Sequence, residues 1–578
     1  MSEPGLRPFD QLTIPQILIQ SRKLFGPRIA MRYHDGNGFQ AITYDDFYRM
    51  VMQVVSALVK AGVKKGDKIC ILSENRPAWG ATYFASLFLK AVNVPLDTLL
   101  KPHEWGYIIR NSETNIIVTS NKYFPEIEPL KDEIDTLKTV LSMDSGNNNA
   151  DYLFADDNPE EVTPADVGLD DIAVIIYTSG TTGLAKGVML SHGNITSDIQ
   201  ATLKVLELYP TDNFLSLLPI HHTFECTCGF LVPLASGAAI TYARGLASKQ
   251  IVEDIKNSKA TIMLGVPLLF EKMYASLTKA ILKKPLFTRV VIKATYGLSG
   301  LVKKTINVEA GSKLFYGLRD KAGMSSLRLM VSGGAPMSPK VAKALNCLGF
   351  RIIQGYGLTE SSPVLTLNPI DKYKNDSVGK ALPGVKMKVV DANEQGVGEI
   401  VACGPMIMKG YYNNDKATSE ILKDGWLYTG DLGWVDDDGY YYITGRLKNL
   451  IVTTGGKNVY PEEVESVLNK SPYILESLVL GRPFEDLKRG EEIEAIVVPD
   501  LEYFSDRAAE KKVTLTEKYI EDTIKLEVAR QCELLSNYKR VKYVTIREED
   551  FEKTSTKKIK RYLYHHKRVT VPTGQSKR

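Results

Sequence analysis

Between Asp171 and His192 the chain reads DIAVIIYTSGTTGLAKGVMLSH: an apolar, strand-forming run, six consecutive small residues, a lysine and a second short apolar run. Thr178, Ser179, Gly180, Thr181, Thr182 and Gly183 offer hydroxyls and closely approachable backbone N–H groups, and Lys186 adds a point charge, a combination that suits phosphate oxygens. The pattern G-x-x-x-x-G-K-[ST] is absent, and a strand rather than a helix is expected after Lys186, so this is not a Walker-type loop. Further along, SGGAP and QGYGLTES place Gly333, Gly334, Ala335 and Pro336, then Gly355, Tyr356 and Gly357, where backbone alone can lie close to a planar base. Thr359 and Glu360 follow at once: a hydroxyl for a phosphoryl group and a hard carboxylate of the kind Mg2+ takes alongside water and phosphate oxygens.

Taken together, YTSGTTGLAKG, SGGAP (Ser332 to Pro336), QGYGLTES (Gln354 to Ser361), YTGDLG (Tyr428 to Gly433), YITGRLKNLIVTTGGKNVYPEEVE (Tyr442 to Glu465) and TSTKKIKR (Thr554 to Arg561) resemble, in order and over nearly the whole chain, the motifs of the acyl-activating, adenylate-forming enzymes. The resemblance implies ATP, Mg2+ and coenzyme A as co-substrates and cofactor, with Glu360 on the metal, Thr181, Lys186 and Lys558 in catalysis, and Gly333 to Pro336 with Gly355 to Gly357 holding adenine. It further implies that the Asp431 carboxylate accepts the ribose hydroxyls and that Arg446 adds a fork of donors to the same region. Gly456 and Lys457 would face the thiol channel after the C-terminal domain pivots near Lys448. Lys558 is chosen over its neighbour Lys557 by register, because Lys558-Ile559-Lys560-Arg561 fits the family's spacing of catalytic lysine, apolar residue, variable residue and basic residue. A flexible ammonium there, bridging the acid's carboxylate and the α-phosphate, would align the attack and offset developing charge; positioning of this kind can supply ~7 to 11 kcal/mol.

Pro219-Ile220-His221-His222-Thr223-Phe224-Glu225 resembles the segment that closes the acyl pocket, with His222 as its gate. HTFECTCGFLVPLASGAAITY, VPLLFEKMY (Val266 to Tyr274) and the stretch from Ala275 to Arg328 look like long-chain acyl-CoA synthetases, so a medium- to long-chain fatty acid is the expected acid. Transfer to an acyl carrier protein from the same adenylate, and a non-catalytic nucleotide- or lipid-binding relative, are the alternatives.

These motifs require a scaffold of strands. Apolar runs of strand length alternate with helical patterns (DKICIL, the Trp79 to Lys90 pattern, NIIVTS, RLMVSGGAP before SPKVAKALNCLG), which is an α/β rhythm. Short strands with turn chemistry between Gly384 and Gly445 predict a small antiparallel layer, and a smaller α+β unit follows Lys448. The expected architecture is therefore a large, multi-subdomain N-terminal α/β domain over 1–446 and a small mobile α+β domain over 447–578. The chain has 578 residues, 44% hydrophobic and 24% charged, enough for such a core and unlike a disordered chain. The net charge of +4 is too weak for a dedicated nucleic-acid binder, and no nucleic-acid partner is expected. From Lys553 to Arg578 nine Lys and Arg stand with no Asp or Glu, leaving −5 on the remainder. That tail, with Tyr562, Tyr564, His565 and His566 among its cations, also fits peripheral attachment to the inner face of a membrane. Six cysteines form neither a disulfide framework nor paired C-x-x-C ligands, so a reducing cytosol is expected, with Cys226 and Cys228 as buried small hydrophobes.

Overall fold

The computed structural model describes residues 12–147, 150–178, 185–283, 285, 295, 311–483, 490–554 and 558–564. Two compact units emerge: Met1–Lys388 with Val401–Thr429 and Asp436–Tyr442, and Val389–Ile400 with Gly430–Val435 and Ile443–Arg578.

The first unit is built on two large sheets. In one, the strands Ile352–Gly357, Leu329–Ser332, Ile262–Gly265, Asn213–Ser216, Ala239–Tyr242 and Ile29–His34 lie side by side in that order, all parallel. In the other, Ile172–Thr178, Val92–Pro95, Lys68–Leu72, Ile116–Thr119, Thr139–Ser142 and Asp151–Tyr152 are parallel neighbours. The interior strands are buried along their length because helices cover both faces of a parallel sheet, which is why DKICIL and NIIVTS read as unbroken apolar runs rather than alternating ones. The helix Pro77–Phe88, buried throughout, carries Trp79, Tyr83 and Phe84 into a core shared with Phe47 and Phe230.

After Lys186 the chain continues as the strand Lys186–Ser191, antiparallel to Ile172–Thr178, with Thr178 opposite Lys186. The phosphate-type loop is thus the tip of a hairpin. Ser191 ends that strand and caps the helix His192–Val205, accepting the Asn194 N–H at 3.1 Å on Oγ while the Asn194 side chain accepts the Ser191 N–H at 2.9 Å. The apolar stretch containing Cys226 and Cys228 folds as a π-helix, Phe224–Leu231, followed by a short helix and the strand Ala239–Tyr242, and both thiols are buried in the core as expected. No helix among the described residues is long and apolar enough to cross a membrane.

In the second unit the strands Ile474–Pro483 and Glu491–Pro499 pair antiparallel, and Tyr543–Ile546 joins the latter in parallel. The helices Pro461–Leu468 and Glu517–Cys532 contribute Val464, Leu468, Ile524 and Val528 to its core.

Candidate active site

Sheet order explains how motifs far apart in sequence come together. The strands ending at Ser216, Gly265, Ser332 and Gly357 are consecutive neighbours and parallel, so the segments leaving their C-terminal ends emerge along one edge: PIHHTFE, VPLLF, GGAP and LTES. That edge is where open α/β sheets hold ligands. The segments also touch. The Thr223 hydroxyl donates to the Thr359 hydroxyl at 3.4 Å. The ring of Phe224 lies over Gly333 so closely that a Cβ there would stand 2.9 Å from its Cζ, leaving no room for a side chain. At Gly357 a Cβ would fall 1.7 Å from the Pro363 carbonyl oxygen, so glycine is obligatory in the tight turn into Thr359 and Glu360. Gly334, Ala335 and Pro336 are exposed, and Gly355 and Tyr356 half-exposed, as backbone meant to meet a flat ligand must be. His222 is half-buried, and its Nδ1 accepts the Phe224 N–H at 3.2 Å, which leaves the proton of the neutral ring on Nε2.

The hairpin is tied to this edge through a residue that motif reading passes over. The two-residue strand Gly410–Tyr411 pairs antiparallel with Lys186–Ser191, Tyr411 opposite Val188. From there the Tyr411 hydroxyl donates to Glu360 Oε1 at 2.7 Å, and the Lys186 ammonium lies 5.2 Å from the centre of the Tyr411 ring. The Glu360 carbonyl accepts the Met408 N–H at 2.9 Å. Lys186 and Glu360, 174 positions apart in the numbering, thus flank one aromatic ring. In the sequence, Tyr411 is one of two tyrosines in KGYYNN, and nothing there marks the one that meets Glu360. Thr178 stands at the start of the hairpin tip; Ser179, Gly180, Thr181, Thr182 and Gly183 lie outside the described residues.

Among the described residues no group of three or more His, Cys, Asp or Glu side chains could hold a metal ion. A single half-exposed carboxylate, hydrogen-bonded through one oxygen, fits Mg2+ that takes its other ligands from water and phosphate.

The remaining expected site residues belong to the second unit. Asp431, buried, is paired with Arg446: Nε to Oδ1 at 2.7 Å and a second nitrogen to Oδ2 at 3.5 Å. The turn before it is fixed by Gly430, whose N–H donates to the Glu399 carboxylate at 2.9 Å. Gly456 and Lys457 form the exposed tip between the short strands Ile451–Val452 and Asn458–Val459, closed by Gly456 N–H to Thr453 O at 2.8 Å. Lys558 is exposed; the Thr554 N–H donates to its carbonyl at 2.8 Å, and its own N–H donates to Thr554 Oγ1 at 3.2 Å. Ile559 packs against Leu478, Leu480, Val498 and Phe551. Arg561 is held by Glu465, with nitrogen–oxygen distances of 2.6 and 2.5 Å, and donates to the Val479 carbonyl at 3.0 Å. Sequence reading missed that anchor, since a terminal basic residue in a lysine-rich run carries no mark of burial. Lys557, and the tail from His565 onward, lie outside the described residues.

Residues 20–412 match the AMP-binding enzyme family. The chain is 30% identical over 474 residues to feruloyl-CoA synthase of Amycolatopsis sp, covering 80% of this chain and 84% of that protein. To the long-chain-fatty-acid–CoA ligase ACSBG2 of Homo sapiens it is 30% identical over 507 residues, 81% of this chain and 75% of that one. Among solved structures, ATP-bound MatB of Rhodopseudomonas palustris superposes with a TM-score of 0.75 at 26% identity, covering 96% of this chain and 98% of that one.

Proposed function

We infer that this chain, which belongs to the AMP-binding enzyme family, converts a medium- to long-chain fatty acid to its acyl-adenylate and then to the coenzyme A thioester, releasing pyrophosphate and AMP. Joining an acid to coenzyme A is the chemistry its relatives are named for, while their acids differ, from feruloyl to long-chain fatty. The observation that carries the reading is the meeting of four consecutive strand ends with the Lys186 hairpin through Tyr411 and Glu360. The choice of a fatty acid is supported by the segment that follows His222: Cys226 to Leu231 is buried, with Cys226, Cys228, Phe230 and Leu231 in the apolar core.

In this reading the hairpin tip and Lys186 hold the triphosphate, Gly333 to Pro336 and Gly355 to Gly357 the adenine, and Asp431 with Arg446 the ribose. A carboxylate oxygen of the acid attacks the α-phosphorus and pyrophosphate leaves; Lys558 aligns the two anions and offsets the charge that builds between them. Glu360 would hold Mg2+, which when bound offsets the charge of the leaving pyrophosphate, and the Thr359 hydroxyl would donate to a phosphoryl oxygen. The segment from Leu447 then pivots near Lys448, withdrawing Lys558 and presenting Gly456 and Lys457, and the thiol sulfur of coenzyme A attacks the acyl carbonyl as AMP departs.

Pyrophosphate exchange across an acid series tests the substrate. With ~0.8 kcal/mol per buried CH2, kcat/KM should rise roughly tenfold for each two carbons until the pocket is full. A flat series from acetate to palmitate, or a preference for ferulate, overturns the fatty-acid assignment. Tyr411→Phe tests the metal role. Loss of its hydrogen bond to Glu360 should raise the Mg2+ concentration for half-maximal exchange on the order of tenfold, and an unchanged Mg2+ dependence would remove Glu360 from the metal.

A further inference from the structure

The segment from Leu217 to His222, which carries both histidines from the end of one strand to the start of the π-helix, has no regular secondary structure of its own. Side chains hold it. Asn75, in the turn between the strand Lys68–Leu72 and the helix Pro77–Phe88, donates from Nδ2 to the Leu218 carbonyl at 2.6 Å and accepts the Ile220 N–H on Oδ1 at 2.9 Å. The same amide nitrogen donates to Ser216 Oγ at 3.2 Å, and Ser216 Oγ donates to Glu225 Oε1 at 2.6 Å. The backbone of Leu218 also hydrogen-bonds to the Glu225 carboxyl. Donors and acceptors therefore run in one sense from Asn75 through Ser216 to Glu225, gripping the segment at Leu218 and Ile220.

Glu225 is 1% exposed, and burial pushes its carboxyl up to about 8 against these hydrogen bonds, so the group is largely uncharged at neutral pH. Its Oε2 is buried without a hydrogen-bond partner among the described residues, which an uncharged acid tolerates far better than a carboxylate. Space is reserved for it: a Cβ on Gly229, one π-helical turn on, would stand 2.6 Å from the carboxyl carbon. A buried acid served by a dedicated glycine, in a π-helix of eight residues, is an expensive local arrangement, and π geometry concentrates at functional sites.

We propose that Asn75, Ser216 and Glu225 form a clamp that positions His222 at the mouth of the acid pocket and thereby sets which acids the enzyme accepts. The link is short: His222 Nδ1 accepts the N–H of Phe224, next to Glu225, and Thr223 donates to Thr359, so a shift of the segment by a few tenths of an ångström moves the imidazole against the reacting carboxylate. The proposal rests on the reading of His222 as the pocket gate.

The full-length protein would be assayed by ATP–pyrophosphate exchange with acetate, octanoate, palmitate, benzoate and ferulate. Asn75→Ala and Glu225→Ala should each raise KM for the preferred acid roughly tenfold and alter the palmitate-to-octanoate ratio, with KM for ATP moving less than about twofold. Glu225→Gln, which keeps the shape and an acceptor for Ser216, should restore the wild-type acid KM. Acid and ATP constants rising together, or an unaltered acid KM in Asn75→Ala, would overturn the clamp. Asn75 is half-exposed, so its variant decides the matter even where Glu225→Ala does not fold. His222→Ala separates the two readings: no change in acid KM removes the gate itself, whereas a change there without one in Asn75→Ala removes only the clamp.

Discussion

Lys558→Ala is expected to lower acyl-adenylate formation by about 10²- to 10³-fold while thioester formation from supplied acyl-adenylate and coenzyme A stays within a few-fold of wild type. The expectation follows from placement. Lys558 is exposed, while its neighbour Ile559 packs, partly buried, against an apolar patch, and Thr554 holds the Lys558 backbone through two hydrogen bonds. An ammonium so held can meet two anions that are being joined, and removing it takes away charge stabilisation needed only while phosphorus is under attack. Separate measurement of pyrophosphate release and of thioester formation decides it. Equal loss in both halves would contradict the pivot near Lys448, and no loss in either would remove Lys558 from the mechanism.

Arg561→Ala is expected to destabilise the second unit by about 3 to 5 kcal/mol, because it leaves the nearly buried Glu465 carboxylate without its countercharge. Glu465 also accepts the Val479 N–H at 2.7 Å, and Arg561 donates to the Val479 carbonyl, so the pair joins the helix Pro461–Leu468, the strand Ile474–Pro483 and the segment carrying Lys558. Amide hydrogen exchange is the suitable readout in a chain of two units, where one unfolding free energy is poorly defined. Exchange should accelerate around Val479 and Ile559, and adenylation should fall with it, while the core around Trp79 and Phe230 keeps its protection. Wild-type exchange at Val479 in Arg561→Ala would contradict the anchoring role.

Several features of this chain could be read without coordinates because their causes are local. The run of small residues before Lys186, the glycines at 333 and 357 and the Thr359-Glu360 pair are each specified within a few positions, by the size and donor chemistry that a phosphate or a flat ring demands. The strand after Lys186 was legible for the same reason, and so was the α/β alternation, since strands covered on both faces must be apolar throughout. Which remote groups meet was not legible. Tyr411 reaches Glu360 only through the register of Gly410–Tyr411 on the Lys186 strand, and Asn75 meets Leu218 only because the turn before Pro77 faces the end of Asn213–Ser216. Asp431 and Arg446 were each expected to serve a ribose, and their direct ion pair became visible only in the fold. Short spacing is a property of the covalent chain, whereas sheet order and strand register arise from how apolar faces are buried, so the sequence determined the chemical groups available and the tertiary structure decided their partners.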